Sequence, residues 1–89
     1  MIVQVAQAGT LESSDCLVTV SPAPALELEW RGPSASLFAG RNRSLVETVL
    51  AEKGLDGAKI IVQDQGALEV TLRARIGTAL DRARKGADR

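Results

Sequence analysis

Apolar and polar residues alternate with a period of two in the first third of the chain. Residues 16–20 and 26–30 carry this alternation, and two glutamates separate the apolar positions of the second segment. Successive side chains of a strand point to opposite faces, so both segments predict half-buried strands. The β-branched segment 2–6 predicts a shorter strand before them. Prolines in residues 21–24 and 31–34 end the strands, because proline cannot donate to a sheet ladder.

The apolar period becomes helical from about residue 36. One broad helical face holds Leu37, Phe38, Leu45, Val46, Val49 and Leu50. We expect the helix to begin near Asn42 or Ser44, either of which can serve as the N-cap, and to stop at Gly54.

The second half of the chain predicts two more strands and a final helix. Residues 59–64 form one strand, residues 64–66 a tight turn and residues 67–72 a partner strand. The inward face of this partner strand is expected to hold Leu68, Val70 and Leu72. The final helix, which runs to about Lys85, is expected to bury Ile76, Ala79, Leu80 and Ala83.

The predicted element order is β-β-β-α-β-β-α, with hairpin-length links between neighbouring strands. This order indicates an α+β fold, with a mostly antiparallel sheet of four to five strands and two helices on one face. A chain of 89 residues predicts a single domain, residues 1–89, with a small core. We expect its last few residues to be frayed.

Composition limits the chemistry open to this domain. The chain has no histidine and a single cysteine, Cys16, so it can form neither an internal disulfide nor a usual transition-metal site. We expect Cys16 to lie in the core. Trp30 and Phe38 are the only aromatic residues, which leaves little for stacking on bases, so we expect no nucleic-acid partner. No signal peptide or membrane span is visible, so we expect no membrane partner and a cytoplasmic location.

Charge is unevenly distributed, although the net charge is zero. No lysine or arginine precedes Arg31, whereas the sequence from Arg73 onward is basic. These charges fit either two partner surfaces of opposite sign or ordinary solvated side chains. Arg73 and Arg75, expected at a strand-to-helix junction, fit either contacts with phosphate or carboxylate groups or a solvated sheet edge.

The segment Gly9-Thr10-Leu11-Glu12-Ser13-Ser14-Asp15 predicts an exposed turn between two strands. A serine nucleophile needs a base, and the chain has no histidine to act as one. An accessible serine without catalytic groups is best explained as a site of covalent attachment. The alternative is that Ser13 and Ser14 are hydrogen-bonding turn residues.

Two blocks of this sequence resemble the acyl carrier protein, or gamma subunit, of citrate lyase. The first is the segment above preceded by Ala8, which resembles the Ala-Gly-Thr-Leu-Glu-Ser signature of that family. The second, at residues 64–69 and 72–75, resembles its Asp-x-Gly-Ala-Leu-Glu and Leu-Arg-Ala-Arg sequence. Departures at Pro33, Ala39 and residues 41–43 lie near the start of the first predicted helix, away from the serine.

The resemblance implies that Ser13, which directly follows the glutamate, carries a prosthetic group. That group is 2'-(5''-phosphoribosyl)-3'-dephospho-CoA, joined by a phosphodiester and attached by a prosthetic-group transferase. The chain would have no catalytic residues of its own. It would carry acetyl and citryl thioesters between the alpha and beta subunits of citrate lyase, which cleave citrate to oxaloacetate and acetate. Arg73 and Arg75 then become candidates for contacts with phosphates of the arm or with partner subunits.

Two alternatives stay open at this level. Carriers of citramalate lyase or malonate decarboxylase are similar and use the same kind of arm, and the partner subunits choose the substrate. The other alternative is a non-carrier α+β interaction module whose acidic and basic ends bind partner proteins.

Overall fold

The computed structural model describes residues 1–33 and 35–85. Ser34 and residues 86–89 lie outside the described part. The prediction that the last few residues are frayed concerns residues outside this part. The elements in chain order are β1 (Ala6–Gly9), β2 (Cys16–Ser21), β3 (Glu27–Arg31), α1 (Ala39–Glu52), β4 (Lys59–Asp64) and α2 (Glu69–Lys85). Within the described residues, no helix is long and apolar enough to cross a membrane.

The described strands form a four-stranded sheet in the order β1-β2-β4-β3. β2 pairs antiparallel with β1 and with β4, whereas β3 pairs parallel with β4. α1 forms the crossover connection that a parallel pair requires. The predicted α+β class, with a mostly antiparallel sheet and two helices, is therefore confirmed. The hairpin links expected along the sheet hold only for β1 and β2, because β4 inserts between β2 and β3.

The core lies on one face of the sheet, against both helices. β2 and β4 supply its centre with the fully buried residues Cys16, Val18, Val20, Ile60 and Val62. The helices add the fully buried residues Val46, Leu72, Ile76, Ala79, Leu80 and Ala83. Leu28 and Trp30 of β3 are half-buried against this core, as their alternation with glutamates predicts.

α1 begins at Ala39, nearly one turn before the predicted start near Asn42. Asn42 does not cap the helix; it is buried inside it, where its Oδ1 accepts a hydrogen bond of 2.9 Å from Arg41 Nη2. Leu37 and Phe38 are 77% and 44% exposed, so the prediction that they join the buried face is wrong. They precede the first helical residue, where the helical period does not yet apply. The rest of the predicted face is buried: Leu45, Val46, Val49 and Leu50.

The end of α1 is as predicted. Gly54 follows the helix with a φ of +66°, a left-handed conformation that glycine adopts without steric cost. The N–H of Leu55 then donates to the carbonyl oxygen of Leu50 at 3.0 Å, which closes the last turn.

α2 begins at Glu69, inside the segment 67–72 that the sequence assigns to a strand. A strand at this position has no place beside β4, because β2 and β3 already occupy both of its edges. Leu68 and Val70, predicted to face inward, are instead 71% and 69% exposed. Leu72 is buried, and it begins the apolar face of α2 rather than ending a strand.

The first strand is displaced from the predicted range 2–6 toward the serine segment, and of that range only Ala6 belongs to β1. The backbone N–H groups of Val3 and Gln4 both donate to the carbonyl oxygen of Ala83, at 3.1 and 3.2 Å. Within the described residues, the start of the chain is therefore hydrogen-bonded to α2 and does not join the sheet before Ala6.

Glycine is required at position 9 by the geometry at the end of β1. The φ of Gly9 is +95°, and a Cβ built there lies 1.8 Å from the carbonyl oxygen of Cys16. We expect Gly9→Ala to lower the free energy of unfolding by more than about 1 kcal/mol, measured by urea denaturation with circular dichroism. Gly40→Ala is the matched control, because its Cβ meets nothing within 4 Å and alanine favours helix. Equal stability of the two variants would contradict this account.

Candidate functional site

Ser13 lies in the connection between β1 and β2, residues 10–15, and is exposed. We call this connection the serine loop. The N–H of Thr10 donates to the carbonyl oxygen of Cys16 at 3.1 Å, which extends the hairpin beyond β1. The N–H of Glu12 donates to Thr10 Oγ1 at 3.2 Å. These local hydrogen bonds form a tight turn that presents Ser13 at the surface.

The carboxylate of Asp15 joins the parts of the serine loop. Its Oδ1 accepts hydrogen bonds from the N–H of Cys16 at 2.7 Å and from Arg75 Nε at 3.1 Å. Its Oδ2 accepts from Thr10 Oγ1 at 2.8 Å and from Arg75 Nη2 at 3.3 Å. These hydrogen bonds lower the pKa of Asp15 from 3.8 to about 2, because they stabilise the charged carboxylate. Arg75 has the largest effect, followed by the N–H of Cys16 and the hydroxyl of Thr10.

Arg75 reaches the serine loop from α2, at a separation of 60 residues along the chain from Asp15. Two nitrogens of its guanidinium face the two carboxylate oxygens, which is the geometry that arginine favours. A Cβ at Gly9 would lie 3.3 Å from Arg75 Cδ, so the arginine side chain passes directly over this glycine. Gly9 therefore serves both the left-handed turn into the loop and the approach of Arg75.

A second link joins the serine loop to the turn between β4 and α2. The N–H of Ser14 donates to the carbonyl oxygen of Gln65 at 2.8 Å, and the N–H of Gln65 donates to the carbonyl oxygen of Asp15 at 2.9 Å. Ser14 has a φ of +67°, which is uncommon for residues other than glycine. Asp64 Oδ1 in turn accepts from the two backbone N–H groups that follow Gln65, at 3.0 and 2.9 Å. The two sequence blocks that resemble the carrier family thus meet in the fold.

Arg73 and Arg75 do not act as a pair. Both lie within α2, so the prediction of a strand-to-helix junction is wrong. Residues two apart on a helix do not face each other. Arg73 Nη1 donates to Glu52 Oε1 at 3.0 Å, which links α2 to α1. Of the two arginines, Arg75 contacts the serine loop.

The cysteine is buried in the core, as predicted. Burial raises the pKa of the Cys16 thiol to about 11, and the carboxylates of Asp15 and Asp64 add to the rise. A thiol with this pKa stays protonated at neutral pH and is a poor nucleophile. Among the described residues, no group of three acidic, histidine or cysteine side chains is placed to hold a metal ion.

A cavity of about 520 Å³ lies at the end of the sheet opposite to Ser13. It is lined by Met1, Ile2, Pro22, Ala23, Pro24, Gly54, Asp56 and Gly57. Ser13 is not part of this lining and is exposed. An exposed serine suits covalent attachment by another protein better than a reaction in an enclosed pocket.

The sequence pattern indicates the serine loop but not the contacts that hold it. The sequence predicts only a tight turn at Gln65, and for Arg75 either a contact with phosphate or carboxylate groups or a solvated position at a sheet edge. The signal that points to Arg75 is charge, because Asp15 lies in a part of the chain that has no basic residue before Arg31. Its cationic partner therefore had to come from later in the chain.

The lowered pKa of Asp15 predicts how stability depends on pH. A carboxylate whose pKa is lower in the folded state stabilises the fold above pH 3.8 and loses this contribution as the pH falls through about 2. We expect the free energy of unfolding of the wild type to fall more steeply across this range than that of Asp15→Asn, which cannot titrate. Urea denaturation at each pH measures the two slopes. Parallel slopes would contradict the role of this carboxylate.

The burial of Cys16 predicts its reactivity. We expect iodoacetamide at pH 8 to alkylate Cys16 fully in protein unfolded in urea. Over the same time the native protein should keep its unmodified mass, because burial restricts access to the thiol and the raised pKa of Cys16 suppresses the thiolate. Intact mass spectrometry of timed samples measures both rates. Rapid alkylation of the native protein would show that the thiol is accessible.

Curated proteins similar to this chain bear the name citrate lyase acyl carrier protein. The protein from Haemophilus influenzae (strain PittEE) is 45% identical over 82 residues, which cover 92% of this chain and 86% of the relative. The protein from Treponema denticola is 41% identical over 75 residues, which cover 84% of this chain and 86% of the relative. The protein from Halothermothrix orenii is 35% identical over 88 residues, which cover 98% of this chain and 94% of the relative. No solved structure matches the chain.

A family model described as ACP, malonate decarboxylase delta subunit (MdcD), matches residues 3–83. The matched range includes the serine loop, Gln65 and Arg75, so it spans the contacts described above. The family model and the relatives agree on the kind of protein. The chain belongs to the acyl carrier protein family that contains the citrate lyase acyl carrier proteins and the malonate decarboxylase delta subunit.

Proposed function

We propose that this protein is the acyl carrier subunit of a citrate lyase and that its prosthetic group is attached to Ser13. The observation that carries the proposal is the position of Ser13, an exposed serine in a loop that Asp15 and Arg75 hold in place. The names of the relatives support citrate lyase as the complex. Family membership supports the carrier role, and the loop geometry supports the choice of residue.

The serine loop fits a covalently attached group. Ser13 offers a hydroxyl for a phosphodiester, and its exposure leaves room for an arm that leads away from the domain. We assign the group as 2'-(5''-phosphoribosyl)-3'-dephospho-CoA. When bound, this group supplies a thiol at the end of a flexible arm, to which acyl groups attach as thioesters.

The part played by the chain itself is to hold the attachment point still. Ser14 and Asp15 are both hydrogen-bonded to Gln65, and Arg75 fixes the side chain of Asp15. A tethered acyl group then stays at a high effective concentration near the active sites of its partners. We assign catalysis to the alpha and beta subunits of the complex. The absence of histidine and the burial of the thiol support this assignment.

A second candidate is the equivalent carrier of a malonate decarboxylase. The description of the matching family model supports it. The names of the relatives favour citrate lyase instead. The arm and its attachment to serine are common to both candidates, and the partner subunits distinguish them.

Mass spectrometry of the protein purified from its native host tests the attachment. Trypsin should leave residues 1–31 as one fragment, because no lysine or arginine precedes Arg31. We expect this fragment to carry the added mass of the phosphoribosyl-dephospho-CoA group on Ser13. The Ser13→Ala variant should lack the added mass and all acyl loading, because it lacks the hydroxyl that forms the phosphodiester.

The matched control for this test is Ser14→Gly. It removes the neighbouring hydroxyl but keeps the left-handed backbone, since glycine readily adopts the φ of +67° found at Ser14. We expect this variant to be modified like the wild type. An unmodified wild-type fragment from cells that express the whole lyase would contradict the carrier function. Added mass on Ser14 would move the attachment to that residue.

A further inference from the structure

A buried carboxylate lies at the end of β4, next to the serine loop. Asp64 is 3% exposed, and it continues the buried face of the strand that Ile60 and Val62 begin. It pairs with Cys16, the residue at which the serine loop ends. A buried polar group lowers stability unless hydrogen bonds compensate for its lost hydration. An apolar residue would continue this face without that requirement, so the reason for a carboxylate at this position lies in its hydrogen bonds.

The carboxylate of Asp64 closes the turn between β4 and α2. Its Oδ1 accepts hydrogen bonds from the N–H of Gly66 at 3.0 Å and from the N–H of Ala67 at 2.9 Å. Gly66 has a φ of +89°, a left-handed conformation that glycine adopts readily. Aspartate side chains stabilise turns in this way, by binding the backbone two residues further on. We call residues 64–67 the Asp64 turn.

The Asp64 turn presents the backbone of Gln65 to the serine loop. The carbonyl oxygen of Gln65 accepts a hydrogen bond from the N–H of Ser14 at 2.8 Å, and the N–H of Gln65 donates to the carbonyl oxygen of Asp15 at 2.9 Å. The side chain of Gln65 is exposed, so these contacts depend on the direction of its backbone groups. That direction is set by the turn that Asp64 closes. Ser13 directly precedes the first of the two donors.

The backbone conformation of Ser14 depends on this support. Its φ of +67° is uncommon for a residue other than glycine. Sparsely populated backbone conformations persist only where the surrounding structure holds them. The hydrogen bond from Ser14 to Gln65 is such a contact. Loss of the hydrogen bonds to Asp64 would therefore release the residue next to Ser13.

We propose that Asp64 is a positioning residue for the attachment of the prosthetic group to Ser13, and that it acts through the backbone of Gln65. This inference rests on the proposed attachment at Ser13 and names a residue on which that site depends. Attachment forms a bond from Ser13 Oγ to a phosphorus atom of an activated phosphate donor. The bond from that phosphorus to the leaving group of the donor breaks, and the hydroxyl proton passes to a base of the transferase. A loop that adopts the reactive conformation for only a fraction of the time binds the transferase more weakly by that fraction.

Amide hydrogen exchange of the unloaded protein, measured by NMR, tests the structural step without any enzyme. In Asp64→Ala, the amides of Ser14 and Gln65 should exchange at least about tenfold faster than in the wild type, because the bonds that protect them open more often. Ile60→Val is the matched control, because it shortens a buried side chain near the other end of the same strand. It should leave the exchange of these two amides unchanged. Circular dichroism establishes that each variant is folded.

Loading kinetics test the functional step, with the transferase of the native host and intact mass spectrometry. Asp64→Ala should raise the KM for the carrier about tenfold and leave kcat within about twofold, because the loop binds less often but reacts normally once bound. Asp64→Asn keeps an acceptor oxygen for the two N–H groups, so it should restore most of the wild-type KM. Gln65→Ala should match the wild type, because the loop contacts only its backbone.

A second variant reaches the same turn without removing the carboxylate. Gly66→Ala places a Cβ on a residue with a φ of +89°, which strains the Asp64 turn although the space around this Cβ is open. It should raise the KM for the carrier and speed the exchange of the Ser14 amide in the same way. This variant decides the question if Asp64→Ala does not fold.

The outcomes separate the inference from the proposed function. If the wild type is loaded, unchanged amide exchange in Asp64→Ala and Gly66→Ala would overturn the inference alone. Faster exchange with an unchanged KM would also overturn it, because the Asp64 turn would then have no effect on attachment. An Asp64→Asn variant as impaired as Asp64→Ala would contradict the role of the acceptor oxygen. A wild-type protein that gains no group would contradict both the inference and the proposed function.

Discussion

The carboxylate of Asp15 determines the conformation of the serine loop. It accepts hydrogen bonds from Thr10, Cys16 and Arg75, so one side chain joins the start of the loop, its end and helix α2. An ion pair at a protein surface contributes little free energy on its own. The effect of this pair is geometric, because it combines with the backbone bonds to Gln65 to hold Ser13 in one place. The proposed attachment depends on that arrangement.

The central position of β4 makes this arrangement possible. Asp64, the last residue of β4, pairs with Cys16, at the point where the serine loop ends. The turn after β4 therefore emerges next to the loop, and Gln65 exchanges hydrogen bonds with it. Because α2 begins directly after this turn, its second turn carries Arg75 over Gly9 to the carboxylate. Segments far apart in sequence thus form the site through the pairing of the two central strands.

Local patterns predicted the elements whose periodicity is unambiguous. Alternation located β2 and β3, and helical spacing located the buried face of α1. The start of α2 was mispredicted because apolar residues at 68, 70 and 72 alternate over a stretch too short to distinguish a strand from the first turns of a helix. The deciding fact is that both edges of β4 are occupied, which no local pattern contains. The ion pair between Asp15 and Arg75 was also not predicted, because its two residues lie 60 positions apart and no local pattern relates them.

Two residues that the sequence predicts to be buried are exposed where α2 begins. Leu68 and Val70 have the composition of a buried strand but lie on the surface where α2 begins. An exposed leucine forgoes roughly 25 cal/mol for each Å² of apolar area that it leaves in contact with water. A serine loop fixed by Asp15, Arg75 and Gln65 presents the hydroxyl of Ser13 in a defined geometry. A mobile loop would lose conformational entropy at each encounter with an enzyme that must reach this hydroxyl and weaken the binding.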